Sequence, residues 1–291
     1  MENIVYACDS DAGKVYLRLT TPLRRARPEI EAEVNWIEHL SKCGLPVPRV
    51  IPNLKGDKIG SFSEGDSHYE AVVFAGMAGA HPSKDIATDP TFLKTLGILI
   101  AKMHQASERY EGIHLKREGW FEERGLRHAL SAAASAKQSP LKQRFEETIA
   151  WMRQLPRTPK TYGLIHADLG ALNLFLQEDG SISIIDFDDS CYHWFIFDLT
   201  LVICSMAIRF EHAAQQTVES TWLKYLIEGY RTIRPLSQDE IDWVPKFEEF
   251  IFLRLYFWIE HHQSLDTFHD AEVDRITRLK QQIMNRLLRE Y

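Results

Sequence analysis

Residues 164–189 read Leu-Ile-His166-Ala-Asp168-Leu-Gly-Ala-Leu-Asn173-Leu-Phe-Leu-Gln-Glu-Asp179-Gly180-Ser-Ile-Ser-Ile-Ile-Asp186-Phe-Asp-Asp189, and the reading of this stretch decides the rest. Leu174 to Leu176 and Ile182 to Ile185 are short apolar runs, with Glu178-Asp179-Gly180 between them as a turn signal, so they predict an antiparallel hairpin. In such a hairpin the entry of the first strand and the exit of the second lie side by side. Asp168 and Asn173, just before it, are therefore expected to approach Asp186, just after it. Two carboxylates and an amide oxygen at one hairpin end make an oxygen-rich site. That chemistry suits a hard cation such as Mg²⁺, which keeps water and binds phosphate.

The spacing H-x-D-x-x-x-x-N followed by D-F-x matches a phosphoryl-transfer signature. On these residues the chain resembles the aminoglycoside phosphotransferase and choline kinase-like branch of the protein kinase fold. His166 to Asn173 is similar to that family's catalytic loop, and Ile185-Asp186-Phe187-Asp188-Asp189 to its metal-binding segment. The resemblance implies that Asp168 is the catalytic carboxylate, orienting a substrate hydroxyl and taking its proton. It implies that Asn173 and Asp186 hold Mg²⁺ on the ATP phosphates. His166 belongs to the same catalytic loop and is expected to hydrogen-bond the loop backbone rather than act as acid or base. Asp198 reads as the N-cap of the helix that follows and, by the resemblance, as a brace for the catalytic loop. Asp188 is either a second metal ligand or a solvated acid.

Working outward, residues 3–8 and 14–19 alternate and are separated by turn residues, predicting a first hairpin on which Tyr16 and Arg18 share a face. Pro28 opens a helical pattern whose apolar stripe is Ile30, Val34, Ile37 and Leu40, with Glu33 at its edge. The resemblance places a phosphate-contacting Lys, paired to a helix Glu, at Arg18 and Glu33. Arginine there is a departure, since its forked guanidinium does not replace an ammonium at a tight contact, although it can still bind phosphate. The same resemblance puts the adenine-binding hinge at Val73 to Met77, with the Ala75 carbonyl and the Met77 amide on the base edge and Gly79 as the small residue beyond. Related chains also carry a phosphate-covering loop before the first strand, whereas Met1 here stands almost at that strand.

The remaining composition narrows the class. With 34 basic and 41 acidic residues the net charge is −7 and the bases are scattered, so no nucleic-acid partner is expected. Arg24, Arg25 and Arg27 form a short run expected to be solvated. The N-terminus lacks a signal-peptide pattern, and the two most apolar stretches, Leu199 to Ile208 and Phe250 to Ile259, are too short for a membrane span, so a cytoplasmic protein is expected. His261-His262 with Glu260 and His269-Asp270 resembles a metal cluster only superficially, because neighbouring helix residues face different ways. Glu260, Asp266 or Asp270 is the better candidate for facing an acceptor. The aromatic run from Tyr192 to Phe197 is expected to seal the core beneath the catalytic loop.

These readings predict an α+β, two-lobed protein kinase-like fold. Residues 1–78 would form a small antiparallel-sheet lobe with one helix that binds the nucleotide, and residues 79–291 a larger helical lobe with the catalytic loop and acceptor site. The expected activity is ATP–Mg²⁺-dependent transfer of the γ-phosphoryl group to a hydroxyl of a small molecule, such as an aminoglycoside, amino alcohol, homoserine-like amino acid or sugar. A Ser/Thr protein kinase of the same fold and a catalytically weak ATP-binding regulator are the alternatives.

Overall fold

In the computed structural model, residues 3–11, 13–112, 115, 117–210, 216–264 and 270–288 are described. Strands β1 (Ile4–Ser10) and β2 (Gly13–Thr20) form the first hairpin, in register from Ile4 opposite Leu19 to Ser10 opposite Gly13. Strand β3 (Val50–Ile51) and strand β4 (Gly60–Glu64) both pair with β5 (Ser67–Ala75), which lies antiparallel to β2 on its other edge. The result is a five-stranded antiparallel sheet.

Helix α1 (Arg27–Lys42) packs on this sheet. Pro28 in its first turn needs no amide partner, and the Glu29 carboxylate accepts from the Ala26 amide at 2.8 Å, so the start is capped by sequence-local groups. Ile30, Val34, Ile37 and Leu40 are buried as the stripe predicts. Glu33, read as an edge residue, is instead only 1% exposed. A carboxylate is tolerated there because a cation faces it, as described below.

After a short helix α2 (Lys84–Ala87), the large lobe is built from α3 (Pro90–Ser107), α4 (Arg124–Ser135), α5 (Pro140–Met152), α6 (Phe195–Arg209), α7 (Gln216–Arg231), α8 (Gln238–Asp242), α9 (Val244–Ser264) and α10 (Asp270–Leu287). Two small antiparallel pairs interrupt them: β6 (Tyr162–Ile165) with β9 (Cys191–Trp194), and β7 (Leu174–Leu176) with β8 (Ile182–Ile184). Trp194, Phe195 and Phe197 are buried beside Phe247 and Phe250 and seal the core under the loop between β6 and β7.

Glu118 and Trp120 exchange backbone hydrogen bonds with Tyr192, and the Glu123 carboxylate then caps the first free amides of α4. One boundary differs from the sequence reading. Helix α6 starts at Phe195 with Trp194 at its cap, so Asp198 lies one turn inside the helix and is not its N-cap.

Between β5 and α2, Gly79 has a φ of +104° that suits glycine. A side chain there would collide with the Leu176 carbonyl. Without one, Ala80 and Leu176 exchange hydrogen bonds of 3.0 and 2.8 Å, and the Ile184 amide reaches the Pro46 carbonyl at 3.1 Å. The β7–β8 hairpin is thereby tied to the small lobe as well as to its own. Among the described residues no helix is long and apolar enough to cross a membrane.

Candidate active site

The β7–β8 ladder runs one step past its strands, since the Ile185 amide donates to the Asn173 carbonyl at 3.0 Å. Asn173 ends a 3-10 turn (Ala171–Asn173) and Asp186 follows Ile185, so the hairpin's open end gathers the three residues that the sequence brings together. The Asn173 amide nitrogen donates to the Asp168 carbonyl at 2.7 Å and to its carboxylate at 3.0 Å. With its donors so used, the amide oxygen of Asn173 is left as an acceptor. Asp186 lines the cleft between the lobes, and among the described residues its carboxylate has no hydrogen-bond or ion-pair partner.

Both Ala167 and Asp186 have φ of +63°, a left-handed conformation that costs non-glycine residues roughly 1–3 kcal/mol and persists only where the surroundings enforce it. The enforcing contacts are present. Asp198 accepts from the His166 amide at 3.1 Å and the Ala167 amide at 2.9 Å. His166, fully buried, donates through Nε2 to the Ile185 carbonyl at 2.9 Å and accepts the Asp168 amide on Nδ1 at 3.2 Å. Burial pushes its pKa down, which keeps the ring neutral with the proton on Nε2. Both nitrogens are occupied by backbone, so His166 staples the catalytic loop to the segment carrying Asp186 and has no site left for proton exchange.

The electrostatics of the acids diverge. Asp168 is exposed to solvent in the turn before the hairpin yet crowded by protein, and desolvation, then Asp189 and Asp186, push its pKa up to about 7 against Arg254 and Asn173. Asp186 is also raised, by desolvation and then by Asp188, with Arg18 opposing. For Asp188, desolvation is outweighed by Arg18, Arg24, Arg25 and Arg117, which hold it at about 2. Two acids that resist ionisation on the cleft side of the hairpin are what a site awaiting a cation looks like, because a divalent ion would reverse the imbalance. The donor set, one amide oxygen and one unpartnered carboxylate, fits Mg²⁺, which takes few protein ligands alongside phosphate and water.

Of the arginine run, Arg27 is exposed as expected, but Arg24 and Arg25 are not solvated. Arg24 donates to the Asp188 carboxylate at 3.0 and 2.5 Å, and Arg25, 4% exposed, donates to the Asp189 carboxylate at 2.8 Å and the Asp188 carbonyl at 3.2 Å. From the opposite side Arg117 donates to the Phe187 carbonyl at 2.7 Å, the Asp188 carbonyl at 3.0 Å and the Ser190 hydroxyl at 2.6 Å. The cage explains why an exposed run was the wrong expectation: the counter-charges arrive from residues 188 and 189, far along the chain. Asp188 is accordingly not solvated but enclosed by arginines, and Asp186 is the acid of its segment that lines the cleft.

Above the hairpin, Arg18 meets Glu33 through two parallel hydrogen bonds of 2.8 and 2.6 Å, both side chains being buried. The cleft of about 460 Å³ runs from Ala75 and Met77 at one end, past Tyr16, Phe74 and Phe175, to Arg18 and Asp186 at the other. The Ala75 amide is taken by the Arg49 carbonyl and the Gly76 amide by the Lys14 carbonyl, and among the described residues the Ala75 carbonyl and Met77 amide have no hydrogen-bond partner. Arg18, Glu33, Ala75, Met77 and Asp186 line this cleft, whereas Asp168, Asn173 and His166 are not among its lining residues.

Residues 1–236 match the sequence pattern of the phosphotransferase enzyme family. The chain belongs to that family. An amicoumacin kinase of Bacillus subtilis (strain 168) is 25% identical over 290 residues, covering 98% of this chain and 85% of the relative. A homoserine kinase of Rhizobium etli is 30% identical over 239 residues, covering 77% of this chain and 68% of the relative. In fold, a solved amicoumacin kinase complex with AMP-PNP, Ca²⁺ and Ami matches with a TM-score of 0.83 at 24% identity, covering 98% of this chain and 86% of that one. A microcompartment-associated aminopropanol kinase matches with a TM-score of 0.76 at 23% identity, covering 98% and 87%. The two-lobed kinase-like fold is thus the family's, and the protein is an ATP-dependent phosphotransferase acting on small-molecule hydroxyls.

Several supports of the phosphotransferase site were not read from the sequence. His104 donates through Nε2 to Asp198 at 3.1 Å and accepts the Tyr230 hydroxyl at 3.0 Å, burial keeping it neutral, while Arg234 donates to the same hydroxyl at 3.0 Å. No local pattern marks these residues, which come from α3, α7 and the turn after it. Arg254, on α9, pairs with Glu123 at 2.9 Å and lies close enough to Asp168 to lower its pKa. Of the acids expected near an acceptor, Glu260 is paired with Lys280, Asp266 lies outside the described residues, and Asp270 begins α10. His261 and His262 both reach the His128 ring, at 4.6 and 5.3 Å, despite being neighbours on one helix. Among the described residues no group of three or more His, Cys, Asp or Glu could hold a metal ion.

Proposed function

We propose that residues 1–78 form the nucleotide lobe and residues 79–291 the catalytic and acceptor lobe of a cytoplasmic kinase whose acceptor is an alcohol bearing an amine, of the amino alcohol or homoserine-like class. In this reading Asp168 aims the acceptor hydroxyl and takes its proton, Asn173 fixes the Asp168 rotamer, and Asp186 with the Asn173 oxygen holds the metal. Bound there, Mg²⁺ neutralises charge on the transferring phosphoryl group. Arg18, positioned by Glu33, presents its remaining N–H groups to the phosphates, and the Ala75 carbonyl and Met77 amide receive the base edge. His166 supports the loop.

The observation that carries this reading is the clamp of Asn173 on Asp168 beside the unpartnered Asp186. It is a preorganised arrangement for phosphoryl transfer, which needs positioning and charge neutralisation more than covalent chemistry. The acceptor class is supported by the relatives, an amicoumacin kinase and homoserine kinases, of which homoserine carries both an amine and a hydroxyl. ATP consumption with Mg²⁺ across amino alcohols, hydroxy amino acids, aminoglycosides, sugars and a protein substrate tests it. Turnover confined to the amine-bearing alcohols is expected; turnover on neutral sugars or only on the protein rejects the acceptor assignment.

One observation favours a second reading. The Arg18 fork is spent on Glu33, and a nucleotide-binding protein without turnover would need no more from it. ATP binding without consumption on any acceptor would select that reading.

A further inference from the structure

His81 lies on the cleft wall, four residues past Met77, and has no part in the chemistry above. Its Nδ1 stands 3.0 Å from the Leu174 carbonyl oxygen. A carbonyl can only accept, so Nδ1 carries the proton, and Nε2 of the neutral ring holds a lone pair. The ring also rests against Phe175, with centroids 4.5 Å apart. Both contacts fix its orientation before any ligand arrives, and among the described residues Nε2 has no hydrogen-bond partner.

Position gives this acceptor a use. With the base at Ala75 and Met77 and the phosphates at Arg18 and Asp186, the sugar of the nucleotide must cross the stretch between. On the large-lobe side that stretch is lined by Leu172, Phe175, Ile185 and Phe187, all apolar, and by His81. A ribose differs from its deoxy analogues in a hydroxyl that can donate one hydrogen bond. The hinge atoms are backbone and cannot sense that hydroxyl, whereas a fixed imidazole acceptor can.

We propose that His81 accepts a hydrogen bond from a ribose hydroxyl through Nε2 and makes this kinase select ribonucleoside over deoxyribonucleoside triphosphates. The proposal rests on ATP occupying this cleft.

The test is the affinity of Mg²⁺ complexes of ATP, 2′-deoxy-ATP and 3′-deoxy-ATP for the wild type, His81→Phe and His81→Gln, by calorimetry on the full chain. The wild type should bind ATP about tenfold more tightly than one of the deoxy analogues, the usual scale of one well-made hydrogen bond. His81→Phe, which keeps the ring on Phe175, should bind ATP and that analogue equally; His81→Gln, which restores an acceptor, should recover part of the difference. A wild type indifferent to both hydroxyls, or a Phe variant that discriminates as well as the wild type, overturns the proposal. Failure of the underlying cleft assignment has a different signature: Arg18→Ala and Asp186→Ala would then leave ATP affinity unchanged.

Discussion

Asn173 binds Asp168 at two points, the main-chain carbonyl at 2.7 Å and the carboxylate at 3.0 Å, so one side chain fixes both the backbone and the rotamer of the proposed proton acceptor. Only the carboxylate can do proton work. Asp168→Asn should therefore lower kcat by about 10²- to 10⁴-fold, the usual range for a general base, with ATP affinity within a few fold of wild type. Steady-state kinetics beside a nucleotide titration check this, and undiminished kcat would refute the role.

Asp186 faces the cleft without a partner among the described residues, so its removal should cost little stability and much metal affinity. In Asp186→Ala the dependence of ATP binding on Mg²⁺ is expected to vanish. A titration of Mg²⁺ at fixed ATP that still saturates as in the wild type would contradict the assignment.

The raised pKa of Asp168 gives the rate a definite pH dependence. The acid must be ionised to accept a proton, so kcat/KM should fall as pH drops through about 7, the value set by desolvation and by Asp189 and Asp186. Arg254 opposes those effects. Arg254→Gln should move the acid limb to higher pH, with a larger loss at pH 6 than at pH 8; an unmoved limb would dissociate Arg254 from Asp168.

Asp188 is 2% exposed and surrounded by Arg24, Arg25 and Arg117. Asp188→Asn should destabilise the protein by about 3–5 kcal/mol, the cost of stranding buried charge. Because the wild-type acid is depressed to about 2, the stability it confers is full at neutral pH and is lost only as pH falls below the ordinary carboxylate range. Urea unfolding of both proteins at pH 7 and pH 3 measures this, and the gap between them should shrink at the lower pH.

Arg18→Ala should weaken ATP binding, but it also leaves Glu33 buried and unpaired. Pairing it with Glu33→Ala separates the two effects: the double variant should regain stability without regaining ATP affinity. Recovery of affinity would show that Arg18 matters for folding alone.

How much of this could be read from the residue order depends on how far apart the partners are. The β7–β8 hairpin was legible because its apolar runs and Asp179-Gly180 turn are adjacent, and the convergence of Asp168, Asn173 and Asp186 follows from hairpin geometry alone. The apolar stripe of α1 was legible for the same reason. Arg25 and Asp189 are 164 positions apart and His104 and Asp198 are 94 apart, so neither pair leaves a local trace. The Arg18–Glu33 pair was expected only through the family resemblance, since nothing local in the helix pattern shows that Glu33 is buried under Arg18. The left-handed turns at Ala167 and Asp186 were hidden because neither residue is a glycine, and their conformation is imposed by Asp198, His166 and the arginines rather than by local preference.

Two kinds of link cross between the lobes, the hydrogen bond from the Ile184 amide to the Pro46 carbonyl and the Arg24 and Arg25 pairs with Asp188 and Asp189. One is a backbone seam and the other an ionic clasp. Any parting of the lobes would break the clasp, so spent nucleotide should leave at a rate that climbs with ionic strength as the clasp is screened.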